Sequence, residues 1–436
     1  MDGSIRTGIW SALSRALARP RRLRHTMSRC VLIGVLTLSV AGCVGSTGMN
    51  SSPSGMRTAV PTAIASPIVL PTPTPQPTFV ATGSMNVARM DFTATPLPDG
   101  TVLVAGGMVD EGVAPTVLAS AEIYNPATGK FTAAGSMETA RSGQTATRLK
   151  DGRVLIAGGG GCANSNTCAG SERKLLASAE LYDPATGAFT RTGSMSVGRD
   201  GATATLLADG RVLVAYGENT GHATAELFDP ASGKFARTGK VLDFNNDVTA
   251  TRLADGKVLF IGSLVDGPAA EIYDPATGSS TTISYALSPD AAASALYKGQ
   301  AFDRTAAQTA TLLKDGRVLL FVGGYLETYA PATETFTPAG FLSPPGQWND
   351  PTATLLADGR VLFEGGWTPG AGDNQSPAVA TAGMYEPGKG PYLVDPATTA
   401  RLYETATLLS DGSVLIAGGT ADQQSALSSA ELFKQP

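Results

Sequence analysis

Histidine is almost missing from this 436-residue chain: there are two, His25 and His222, and only His222 lies beyond the N-terminal leader. Charge is also scarce, at 16% of residues, and tryptophan occurs three times. The four cysteines are Cys30, Cys43, Cys162 and Cys168. The last two are separated by five residues with no histidine nearby, which misses the usual zinc spacings. The longest apolar run, Val31 to Gly42, is too short to span a bilayer. No Ser-His-Asp set, phosphate loop or pair of catalytic carboxylates can be argued from spacing. Neither a metal nor an organic cofactor is expected.

What the chain has in quantity is Gly (51) and Pro (28), with much Thr, Val and Ala, a composition of many short strands rather than helices. Its charge is unevenly placed. Residues 1–80 hold eight Arg, no Lys and one acid, so the remainder is acidic within an overall −5. An acidic globular part is a poor partner for nucleic acid, which needs a basic surface.

The N-terminus reads as an address. Arg19, Arg21, Arg22, Arg24 and Arg29 precede the apolar run, and Leu38-Ser39-Val40-Ala41-Gly42-Cys43 follows within it. That segment resembles the lipobox of bacterial lipoproteins. The resemblance implies a signal peptide over 1–42, lipidation of Cys43, and attachment to the membrane of a bacterial cell envelope. Met27 is an alternative start that would leave the mature product unchanged. Val44 and Gly45 lack the Asp of an inner-membrane retention signal, which favours the outer membrane or cell surface. Residues 43–78 are rich in Ser, Thr and Pro, with Pro at 61, 67, 71, 73, 75 and 77, and read as a semi-rigid tether.

From residue 79 onwards one unit repeats. Its Asp-Gly-type turn recurs at Gly100, Gly152, Gly210, Gly256, Gly316, Gly359 and Gly412. Each copy has a Thr-rich strand, that turn, an apolar strand ending in a Gly pair, a third strand with Glu and Tyr, and a fourth with a late Phe. Four antiparallel strands repeated about every 50 residues predict an all-β, seven-bladed β-propeller over 79–436. The Gly pair, the Tyr and the late aromatic (Phe131, Phe189, Phe235, Phe336) resemble the kelch motif, with Phe in place of the usual Trp. The last unit lacks a fourth strand, and residues 79–85 match the fourth strand at 131–137, so the N-terminal strand is expected to close the ring.

Several residues could carry function. Arg89, Arg141, Arg199 and Arg401 stand four residues before a Thr-Ala-Thr, and Glu122, Glu180, Glu226, Glu271, Glu327 and Glu431 share one third-strand position. A ring of Arg facing an anionic ligand is one reading. Trp348 and Gly383 replace both partners in the sixth unit, which favours structural ion pairs. Trp348 and Trp367, with Asp350, Asp373 and Asn374, form a candidate site for a sugar or peptide; the alternative is that Trp caps an irregular blade. A second long loop is expected from Ser279 to Asp303, containing Tyr285. Cys162 and Cys168 suit a local disulfide in an exported protein.

The kelch resemblance also raises galactose oxidase, whose copper site needs two His, Tyr ligands and a Tyr–Cys crosslink; a single His beyond the leader cannot build it. The expectation is therefore a monomeric, non-catalytic binding module for a protein or a cell-envelope polysaccharide. The alternative is a carbohydrate-active enzyme similar to sialic-acid mutarotases.

Overall fold

The computed structural model describes residues 76–435, apart from 111–114, 162–172, 218–223, 243, 245–247, 265–266, 286–308, 344–346 and 370–376. Cys43, the disulfide candidates Cys162 and Cys168, and Asp373 and Asn374 lie outside the described residues.

Seven four-stranded antiparallel sheets form the blades of a β-propeller. The first blade runs outward through Thr93–Pro96, Val102–Ala105, Ser120–Asn125 and Lys130–Ser136. The innermost strands touch their neighbours in one unbroken cycle, from Thr93–Pro96 around to Leu402–Leu408 and back.

Position in the blade explains the sequence of each strand. Second strands such as Val154-Leu155-Ile156-Ala157 are buried along their whole length, because adjacent blades cover both faces. They therefore read as unbroken apolar runs, as strands buried on both sides must. Outer strands such as Lys130–Ser136 are mostly exposed, with Phe131 the one buried residue. The hydrophobic core is correspondingly a circle of layers between blades: Leu155, Leu181 and Met195 of the second pack with Val212, Val214 and Phe228 of the third.

At each Asp-Gly turn the Asp carboxylate accepts the N–H two residues on, as Asp151 does from Arg153 at 3.0 Å. The following Gly152 sits at φ 91°, where only glycine is unstrained.

The ring closes as the repeat arithmetic requires. Strand Thr78–Ala81 pairs with Ala430–Lys434 in register Thr78↔Lys434 to Ala81↔Glu431, and becomes the outer strand of the seventh blade. Phe79 stacks on Phe433 at 5.1 Å. The expected loop from Ser279 to Asp303 begins as a strand, since Ser279–Ile283 is the outer strand of the fourth blade, and its residues 286–303 lie outside the described residues. Tyr285 beyond it is buried against Phe336, with ring centroids 4.5 Å apart.

Candidate functional site

The repeated arginines lie where each chain segment enters an innermost strand, and they are fully buried. Arg89 Nη2 is 2.9 Å from Glu122, Arg141 Nη2 3.0 Å from Glu180, Arg199 Nη2 3.3 Å from Glu226, and Arg401 Nε 3.3 Å from Glu431. Each Nη1 also donates to a carbonyl at the end of the second strand: Gly106 at 2.8 Å, Gly158 at 2.7 Å, Tyr216 at 2.8 Å and Gly418 at 2.7 Å. The second Glu oxygen is used as well. Glu122 accepts the Asn86 N–H at 2.7 Å and Glu180 the Glu138 N–H at 2.8 Å. Burial alone would push the Glu122 carboxyl up, but the Asn86 N–H and the Arg89 guanidinium together hold it below the usual carboxylate range. None of these four pairs is open to a ligand.

Trp348 occupies the same slot. Its Nε1–H donates to the Gly365 carbonyl at 2.6 Å, and the two residues are 17 apart in sequence, the spacing of every Arg–carbonyl bond above. The indole is 1% exposed and packs edge-on to Phe321 at 5.5 Å. A Cβ on Gly383, in the Glu position, would lie 2.6 Å from Leu342 Cδ2, so Leu342 fills the space of the missing carboxylate. The sixth blade has thus exchanged an ion pair for apolar packing, a swap that buried pairs tolerate well. The expectation that Trp348 contacts a ligand is corrected: its faces are covered and its one donor is used.

Two residues beyond this slot the chain turns through the left-handed region. Asp91, Gly143, Gly201, Asp350 and Tyr403 have φ of 54°, 63°, 64°, 48° and 60°. Four of them are chained by backbone bonds. Asp91 N–H donates to Tyr403 O at 3.2 Å, Gly143 N–H to Asp91 O at 3.0 Å, and Gly201 N–H to Gly143 O at 3.0 Å. This collar forms part of one mouth of the ring. Two blades spend a glycine there, as the geometry favours. Three place a side chain there, at roughly 1 kcal/mol or more each.

Around the collar of the first, second, third and seventh blades is a depression of about 260 Å³, lined by Asp91, Arg173, Asp200 and Tyr403 over Gly143 and Gly201. Arg173 Nη2 pairs with Asp200 Oδ2 at 2.8 Å and donates to Ser142 Oγ at 3.1 Å. Tyr403 is 47% exposed, the most exposed aromatic side chain among the described residues. A Cβ on Gly143 would meet Asp200 Oδ1 at 2.0 Å and Asp91 Oδ2 at 3.3 Å, so a side chain there would displace the Asp200 carboxylate. Beside the sixth blade, the half-buried Trp367 donates its Nε1–H to Asp350 Oδ2 at 2.7 Å. Desolvation pushes the Asp350 carboxyl up, and the indole N–H opposes it.

Three acids escaped the sequence reading in this form. Glu271, in a blade without the Arg, accepts the Tyr216 hydroxyl and the Leu242 N–H, the latter at 3.0 Å. Glu364 and Glu404 meet across the seam between the sixth and seventh blades, both with carboxyls raised by burial.

No protein-family model matches the chain, and no curated protein matches it. Among solved structures it is similar to a fungal alcohol oxidase of the AA5 family, described in complex with copper. Identity is 14% and the TM-score 0.60, over 82% of this chain and 76% of that one. It is also similar to YjhT, at 13% identity and TM-score 0.48, over 80% of this chain and 96% of that one. At such identities the likeness is one of architecture: this chain and the alcohol oxidase share a propeller fold.

Proposed function

We propose that the chain is a kelch-type propeller lipoprotein, held in a bacterial envelope through Cys43, whose collared mouth binds a ligand without transforming it. The observation that carries this reading is the collar. Asp91, Asp350 and Tyr403 sit in a backbone conformation that favours glycine, and Gly143 and Gly201 fill the same position in neighbouring blades. Retained strain of this kind is what a site selected for its side chains displays. Of the expected ligand classes, protein or cell-envelope polysaccharide, the chemistry suits a sugar residue. An open Tyr403 ring offers a stacking face, and Asp91, Asp200 and Arg173 offer acceptors and donors for hydroxyls.

The copper chemistry of the alcohol oxidase does not carry over. Two histidines in the whole sequence, one of them in the leader, are not that donor set. Catalysis on a carbohydrate remains the outcome a turnover assay would register, and no feature of the mouth favours it over binding.

The test uses Asp91→Gly with Tyr403→Gly, which restores the residue of the second and third blades. Strain relief should keep or raise the melting temperature, while binding on an array of envelope glycans falls at least about tenfold, the worth of 1.4 kcal/mol. Binding that survives in the folded double variant would overturn the reading.

A further inference from the structure

Repetition supplies a reference for every seam between blades. The residue paired with the first Thr of the innermost Thr-Ala-Thr is Ala105, Ala157, Ala215 and Ala417 in four blades, but Glu364 in the sixth. The residue just before that Thr is Gln144 in the second blade and Glu404 in the seventh. In the sequence, the sixth–seventh seam alone has an acid at both positions.

The first–second seam shows how the neutral version works. Gln144 Nε2 donates to Ala105 O at 2.9 Å, and a Cβ on Gly106 would lie 2.6 Å from that nitrogen and 2.6 Å from Arg141 O. At the sixth–seventh seam, the corresponding Cβ on Gly365 would lie 2.0 Å from Glu404 Oε1 and 3.2 Å from Arg401 O. Glu404 therefore takes the place of Gln144, with an acceptor where the amide donor was.

Among the described residues nothing at the seam offsets that change. Glu364 is 0% exposed, and neither of its carboxylate oxygens has a hydrogen-bond partner; Glu404 is 9% exposed, and its Oε1 has none. Arg401, the nearby cation, is already committed to Glu431, Gly418 O, Ser429 O and Ser429 Oγ. Three carboxyl groups, Glu364, Glu404 and Glu431, thus share one guanidinium, so with all three ionised the site would hold two uncompensated negative charges. Buried carboxylates without a partner must take up either protons or a cation.

We propose that the seam between the sixth and seventh blades binds one hard divalent cation of the calcium class through the carboxylates of Glu364 and Glu404. All the donors are oxygen, which suits calcium and excludes softer metals, and the charge excess matches one divalent ion. Among the described residues no three acidic, His or Cys side chains converge on one point. The rest of the shell would have to come from backbone oxygens and water, which calcium accepts readily; the Arg401 carbonyl and Glu404 Oε1 both lie next to Gly365. Protons compete for the same oxygens. Burial raises both carboxyls. The charges of Glu404 and Glu431 raise Glu364 further, against Arg401. Asp350 adds to the rise at Glu404, again against Arg401, and Glu404 reaches about 7.

The full-length chain, stripped with chelator, is titrated with calcium chloride by calorimetry and by thermal melting at pH 8 and pH 5.5. One site per chain is expected, with a calcium-dependent rise in melting temperature at pH 8. Apparent affinity should be lower at pH 5.5 than at pH 8, because protons compete for both carboxylates. The variant Glu364→Ala with Glu404→Gln rebuilds the first–second seam; it should fold and lose the response. No calorimetric site in the stripped wild type at pH 8, or a response that survives in the double variant, would overturn the proposal.

Discussion

With divalent ions chelated, the Glu404 carboxyl should make the protein less stable as pH rises from acid to neutral. Burial lifts this group from an ordinary 4.5 to about 7, so the folded chain holds a proton that the unfolded chain has released. Between those values the native state binds more protons, and stability falls with each step in pH. The full penalty is reached above about pH 7 and vanishes below about 4.5. At about 1.4 kcal/mol per unit, the lift amounts to roughly 3 kcal/mol. Glu271, also raised by burial, contributes in the same direction. The depressed acids, among them Glu122 and Asp315, act the other way, but only below the ordinary carboxylate range. Urea unfolding of the wild type and of Glu404→Gln at half-unit steps from pH 5 to pH 8 isolates the term. The wild type should lose stability relative to the variant by an amount of that order across the window. Two parallel curves would mean that Glu404 is ionised throughout and would refute the argument from burial.

The remaining predictions concern the core and the anchor. Trp348→Ala should destabilise the propeller by about 3–5 kcal/mol in denaturant unfolding, because it opens a cavity beside Phe321 and orphans the Gly365 carbonyl; a loss under about 1 kcal/mol would contradict its burial. Metabolic labelling with an alkyne fatty acid should tag the wild type and leave Cys43→Ser untagged; a tagged variant would remove the anchor.

The blades were legible because each is specified locally. An Asp-Gly turn, a four-residue apolar strand and a late Phe recur within one unit, and no long-range information is needed to recognise them. The displaced strand was legible for the same reason, since residues 79–85 repeat 131–137. The Arg and Glu columns were visible as spacing, and their simultaneous loss in the sixth unit pointed to pairing. What spacing could not convey was that an indole N–H can take over the guanidinium's bond to the carbonyl, so Trp348 looked like a loop residue. The collar left a fainter trace, a glycine two places after Arg141 and Arg199; Asp91 and Tyr403 at the same place carry no sign of a left-handed backbone. Glu364 and Glu404 stand 40 residues apart on different blades, and only the pairing of Thr352 with Glu364 and of Thr405 with Ala417 reveals that they face one seam.

The strand Thr78–Ala81 is the first strand in chain order among the described residues, yet it completes the last blade. During synthesis Thr78–Ala81 is made well before its partner Ala430–Lys434, so the seventh blade cannot be completed until both have been made. Once the ring is shut, any pull on residues preceding Thr78 is delivered to this four-residue pairing and to the Phe79–Phe433 contact. Peeling that strand would open the seventh blade while the other six stay whole. The outer edge of the seventh blade therefore depends on one short strand supplied from the other end of the propeller sequence.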